Sequence, residues 1–192
     1  MVFEIKNEQS GRSMVEILGV LAIIGILSVG GIAGYSKAMA KHKLTKTQDQ
    51  LQLLTINIRS AFAGSASFEN LDNISAIKLN IVPGEMLPHG LGNTTEVNKE
   101  TGIVNAFSGG VILKAKEGDN QHFIIKFTGL GGVTCTSLAS SDWGTEGLVK
   151  MTVSNGTRDI ETYQDSLPLS ATVAVNYCNG TNDQNSITWE YY

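Results

Sequence analysis

The chain begins with an unbroken apolar stretch and ends in short alternating ones. From Met14 to Tyr35 the only charged residue is Glu16. As a helix rising about 1.5 Å per residue, this stretch would be about 33 Å long, enough to cross a bilayer core. The pattern then changes without a break: "YSKAMAKHKLTKTQDQLQLLTINIRSAFA" contains no proline or glycine before Gly64. Leu44, Leu51, Leu54, Ile58, Ala61 and Phe62 fall on one helical stripe, which predicts an amphipathic continuation packed on a sheet. A coiled-coil seam is the competing reading, and the stripe is too short and irregular for it. Gly64, followed by Ser65, predicts the C-cap. One helix from about Ser13 to Ala63 would span roughly 75 Å.

Residues 65–109 are loop-rich, with a short helix predicted over "NLDNISAIKL" and breaks at Pro83-Gly84 and Pro88-His89. "GVILKA" and "HFIIKFT" flank "KEGDNQ" and read as a hairpin. "GLVKMTVS", "ATVAVNYC" and "ITWEYY" are three more candidate strands, and "TCTSLASSDW" is a candidate short helix carrying Cys135. A long helix followed by consecutive strands predicts an α+β fold with the helix packed on an antiparallel sheet.

Composition narrows the function more than the fold. A length of 192 residues allows one domain and an anchor. The net charge of −4 gives no basis for a nucleic-acid footprint, so no specific nucleic-acid partner is expected. Lys37, Lys41, Lys43 and Lys46 follow the apolar stretch and would meet lipid headgroups or carboxylates of a neighbouring subunit. No GxSxG, HExxH, GxxxxGK[ST] or EF-hand spacing occurs, which argues against an enzyme and leaves no cofactor or metal to expect. His42, His89 and His122 have polar neighbours and read as surface residues. "FSGG" and "GLGG" read as turn glycines rather than phosphate loops. The Asn-x-Ser/Thr triplets at Asn73, Asn93, Asn155 and Asn179 are expected by chance in such a composition. Cys135 and Cys178 lack zinc-site spacing and read as one disulfide or as two free buried thiols.

Glu16 is the anomaly. A carboxylate at the centre of a helix in lipid costs about 2.5–3.5 kcal/mol on insertion scales, so it usually implies a partner. "GRSMVE" followed by "ILGVLAIIGILSVGGIAGYSKAM" resembles the type IV prepilin signature: a glycine, four residues, a glutamate, then a long apolar helix. The resemblance implies a leader over 1–11, an apolar membrane and assembly helix over 12–35, its amphipathic half over 36–64 and a pilin head over 65–192. It implies cleavage between Gly11 and Arg12 by a prepilin peptidase, and N-methylation of Arg12, where most relatives carry Phe or Met. Cleavage exposes an α-amino group, reference pKa about 7.7–8.0, one helical turn from Glu16. Glu16 of one subunit would then pair with the amino terminus of its neighbour and set the register of assembly.

"VPGEM", "NAFSGGVILKA" and "GLGGVTCTSLAS" are similar to the conjugative-plasmid pilins of the type IVb group, in which the second cysteine also lies near the C-terminus. What this implies is a homo-oligomeric helical filament, built by an assembly platform and its ATPase from an inner-membrane precursor with a periplasmic head. The pilus would serve adhesion, aggregation, motility or conjugation. A minor pilin, a type II secretion pseudopilin or a singly anchored adhesin would share parts of this pattern. The lysines after the span outnumber Lys6 and Arg12 before it, which by itself predicts the opposite orientation. Gly30, Gly31 and Gly34 either allow close helix packing in lipid or mark where residues near 28–34 become extended in a filament.

Overall fold

A computed structural model describes residues 14–88, 98–144, 146–181 and 183–192. Gly11, Arg12 and the leader, with His89 and Asn93, lie outside the described residues. The chain divides into two compact units between Lys41 and His42. A single helix, α1 (Met14–Phe62), contributes to both.

Within the second unit, the sequence of α1 decides which face is buried. Leu51, Leu54 and Ile58 are fully enclosed, and Leu44 and Phe62 pack against the same core. Ala61, expected on this stripe, is exposed. The stripe is completed instead by Thr47, Gln50 and Thr55, all buried. The two threonines satisfy their hydroxyls on the helix itself: Thr47 Oγ1 donates to Lys43 O and Thr55 Oγ1 to Leu51 O, each at 2.9 Å. A threonine bonded this way presents mainly its methyl group to the core. Gly64 follows the helix end without taking a left-handed conformation, and the Ser65 N–H caps Phe62 O at 2.9 Å.

The sheet has five strands in the order β1-β2-β5-β3-β4, each paired antiparallel. The expected hairpin is β1 (Val111–Lys116) and β2 (Asp119–Leu130), joined by Glu117-Gly118. The second hairpin is β3 (Leu148–Ser154) and β4 (Asp159–Tyr163). Strand β5 (Asn185–Tyr191) enters between the hairpins and pairs with both β2 and β3. Phe123, Ile125, Phe127, Met151, Val153, Ile187 and Trp189 therefore share one face with the buried side of α1. On the other face Glu190 is 5% exposed and joined to Lys116 Nζ at 2.7 Å and Lys150 Nζ at 3.8 Å. A second bond from Lys150 to Glu161, 2.9 Å, carries this row of charges to β4.

Among the described residues, three shorter α-helices accompany the sheet. The predicted helix around "NLDNISAIKL" is α2 (Asn73–Lys78), started by a capping box in which Asp72 and Ser75 bond each other's backbone N–H. The one carrying Cys135 is α3 (Gly132–Ala139). The third corrects an expectation: "ATVAVNYC" is not a strand but α4 (Ala171–Tyr177). Ser170 caps it by accepting from the Val173 N–H, and Ala174 and Cys178, four residues apart, are buried on one side. The β preference of its valines is a matter of tenths of a kcal/mol, which a cap and a covalent tie at Cys178 outweigh. Strand β4 was not anticipated, because "DIETY" is short and charged, as edge strands tend to be.

Asn73, wholly buried, closes the opposite edge of the sheet. Its Nδ2 donates to Val111 O at 2.8 Å and Thr101 O at 3.2 Å, and its Oδ1 accepts from the Leu113 N–H at 2.8 Å. One side chain thus satisfies two backbone groups of β1, Val111 O and the Leu113 N–H, while the Ala115 N–H donates to Leu71 O at 3.3 Å. Asn73→Ala strands a buried N–H and a buried carbonyl, at about 1–3 kcal/mol each. The expected loss is about 3 kcal/mol, measured as a fall in melting temperature on the order of 10 °C.

The two glycine-rich stretches meet. A Cβ on Gly109 would lie 1.8 Å from Thr128 O, and Gly129, at φ +69°, would place one 2.7 Å from Gly109 Cα. Both positions therefore exclude a side chain, which explains "FSGG" and "GLGG" as a backbone contact.

Candidate functional site

In the first unit the functional candidates lie on the apolar half of α1. Glu16 sits in its first turn and is exposed. Every large apolar side chain from Met14 to Tyr35 is between 50% and 82% exposed, and they occupy all sides of the helix. Burying one such side chain is worth about 1.5–3 kcal/mol, so a helix apolar all round calls for lipid or other helices around it. By length and composition it is long and apolar enough to cross a membrane. Gly30, Gly31 and Gly34 are helical here, with open space where a Cβ would stand. Ser28 and Ser36 return their hydroxyls to Ile24 O and Ile32 O, which keeps polar atoms off the apolar surface.

In the second unit, α1 is also the anchor of the loops around it. Gln50, 1% exposed, donates from Nε2 to Glu85 Oε1 at 3.0 Å and accepts at Oε1 from the Ala106 N–H at 3.1 Å. Lys46 Nζ reaches Glu85 at 3.1 Å. The hydrogen bond from Gln50, and then Lys46, hold the Glu85 carboxyl below its ordinary range. Lys43 Nζ lies over the Phe107 ring, 5.9 Å from its centre. Near the end of α1, Arg59 donates to Tyr192 O at 3.0 Å and stacks on the Tyr191 ring. Burial pushes the Tyr191 phenol up to about 12, with a hydrogen bond to Thr55 and the charge of Arg59 acting against it. Gln50 and Arg59 were missed in sequence because an isolated polar residue on a helix carries no sign of its distant acceptor.

The two cysteines are brought together. Cys135 on α3 and Cys178 at the end of α4 form a disulfide with a Cα–Cα distance of 5.6 Å, which excludes the free-thiol reading. Of the two described histidines, His42 is exposed, and half-buried His122 bonds Asp119 through Nδ1 at 2.5 Å. That bond is the main reason the Asp119 carboxyl is lowered. Among the described residues no group of three His, Cys, Asp or Glu could hold a metal ion. Of the asparagine triplets, Asn73 and Asn155 are buried and Asn179 is exposed.

The family described as PilS N terminal matches residues 41–191, thus covering the head but not the apolar half of α1. Among solved structures, a type IVb pilin from Salmonella typhi is similar, with a TM-score of 0.53 and 15% identity. The alignment covers 79% of this chain and 98% of that one. TcpA, a type IV pilin from Vibrio cholerae El Tor biotype, aligns with a TM-score of 0.48 and 15% identity over 79% of this chain and 99% of its own. No curated protein matches the chain.

Proposed function

The chain belongs to the PilS N-terminal family and has the type IVb pilin fold, and from that premise we propose that it is a structural subunit stored in the inner membrane and polymerised into an extracellular pilus. The observation that carries this reading is the exposed apolar half of α1 with one carboxylate in its first turn. A prepilin peptidase removes residues 1–11, and Arg12 becomes the first residue, methylated on its α-amino group. Methylation leaves that amine cationic. Glu16 of an incoming subunit pairs with the amine of its neighbour, so two poorly solvated charges are removed together. An assembly platform and its ATPase move the helix out of lipid, and burial among other helices offsets the extraction. Contacts of this heterologous, non-closing kind build a filament rather than a ring. The head, 65–192, is periplasmic before assembly and extracellular after it, where an oxidising compartment suits the disulfide. Lys37 and Lys41 face lipid headgroups in the stored state, and the segment at Gly30, Gly31 and Gly34 extends on assembly.

The reading is tested by mass spectrometry of subunits from sheared fibres. The expected N-terminus is Arg12 carrying one methyl group. Fibres whose subunits start at Met1 would overturn it.

A further inference from the structure

Two triplets of identical sequence, Asn155-Gly156-Thr157 and Asn179-Gly180-Thr181, meet in space. Asn155 is 7% exposed, and its Oδ1 accepts from the Thr157 N–H at 2.9 Å and the Arg158 N–H at 2.7 Å. Its Nδ2 donates to Asn179 Oδ1 at 2.6 Å. Asn179 is exposed, and among the described residues its side chain has that bond alone. The next residue, Gly180, cannot carry a side chain. A Cβ there would lie 2.8 Å from Asn185 Oδ1 and 2.9 Å from Asn155 O. Its N–H donates to Asn185 Oδ1 at 2.9 Å, and Asn185 is itself buried and fixed by a bond to Leu130 O. The fold therefore requires, directly after an exposed asparagine, the one residue that leaves its carboxamide open to attack by the main chain.

From this geometry we infer that Asn179 is a site of spontaneous deamidation, and that the fold protects the chemically identical Asn155. The Gly180 nitrogen attacks Asn179 Cγ, closing a five-membered succinimide by a new C–N bond. The Cγ–Nδ2 bond breaks, and ammonia leaves with the proton given up by the Gly180 N–H. Water then adds to one imide carbonyl and opens the ring to aspartate or isoaspartate; nothing is oxidised or reduced. Attack at Asn179 requires the Gly180 N–H to leave its bond to Asn185 Oδ1 and the carboxamide to leave Asn155 Nδ2. At Asn155 the same reaction must first break two backbone bonds to Oδ1 and open a buried site. The expected difference in rate is on the order of tenfold to a hundredfold. The product carboxylate keeps Asn155 Nδ2 as a charge-assisted donor.

The test uses the purified full chain in detergent, held at neutral pH and sampled by peptide mass mapping. A parallel sample is kept unfolded in urea with the disulfide reduced. In the unfolded chain both triplets convert at similar rates. In the folded chain Asn179 converts at least tenfold faster than Asn155, and an acidic charge variant accumulates that Asn179→Gln abolishes. Folded-state rates at the two positions that agree within a factor of about two, or a faster rate at Asn155, would overturn the inference.

Discussion

Glu16→Ala leaves the protein in the membrane and abolishes fibres. Retention is expected because the substitution removes a charge from the segment where charge is most costly, about 2.5–3.5 kcal/mol on insertion scales. Assembly fails for the complementary reason. The neighbour's α-amino group enters the helix bundle with nothing to pair, and breaking a buried pair by deleting one partner costs about 3–5 kcal/mol. That is a factor of a hundred or more in the docking equilibrium at each interface. Two measurements check it: the membrane-bound pool by fractionation, and the sheared fibre yield. Normal fibres from this variant would favour a singly anchored adhesin, which has no use for Glu16.

The second large effect concerns the disulfide. Cys135→Ser with Cys178→Ser opens a bond between residues 43 apart in sequence. In the chain-entropy picture this costs about 4 kcal/mol of head-domain stability, a large fraction of the 5–15 kcal/mol by which domains are stable. The loss is concentrated by topology. The bond joins α3 to α4, and β5, the centre of the sheet, begins only a few residues after Cys178. The expected result is a double mutant with a melting temperature lower by roughly 10 °C and a head that is degraded faster than the parent's. A head that melts within a degree or two of the parent would show that cap and core hold α4 without the covalent tie.

How far these features could be read in advance depended on where their partners lie. The long helix, the β1/β2 hairpin, β3, β5 and the helices around Asn73 and Cys135 were legible, because each has its own periodicity or cap within a few residues. Strand β4 was not, since its pairing with β3 is what buries Thr162 and half-buries Ile160 in an otherwise polar segment. The sequence of α4 read as a strand, because alternating valines carry the same pattern whether or not Cys178 is tied across to α3. Thr47, Gln50 and Thr55 fall outside the expected apolar stripe and are core positions, where two hydroxyls fold back on the helix and one amide meets two loops.

The sequence by itself determined the apolar first half of α1, its lone Glu16 and the glycines within it, because lipid compatibility is a property of a contiguous window and needs no partner. It also settled the α+β class through the succession of one long helix and several strands. Tertiary structure alone decided that β5 lies between two hairpins, that Asn73 bonds one edge of the sheet, and that of two identical Asn-Gly-Thr triplets one has its asparagine buried and the other exposed. Each of these depends on groups tens of residues away, and the free energy of a hydrogen bond or a packed side chain is set by what it meets, which local sequence does not contain.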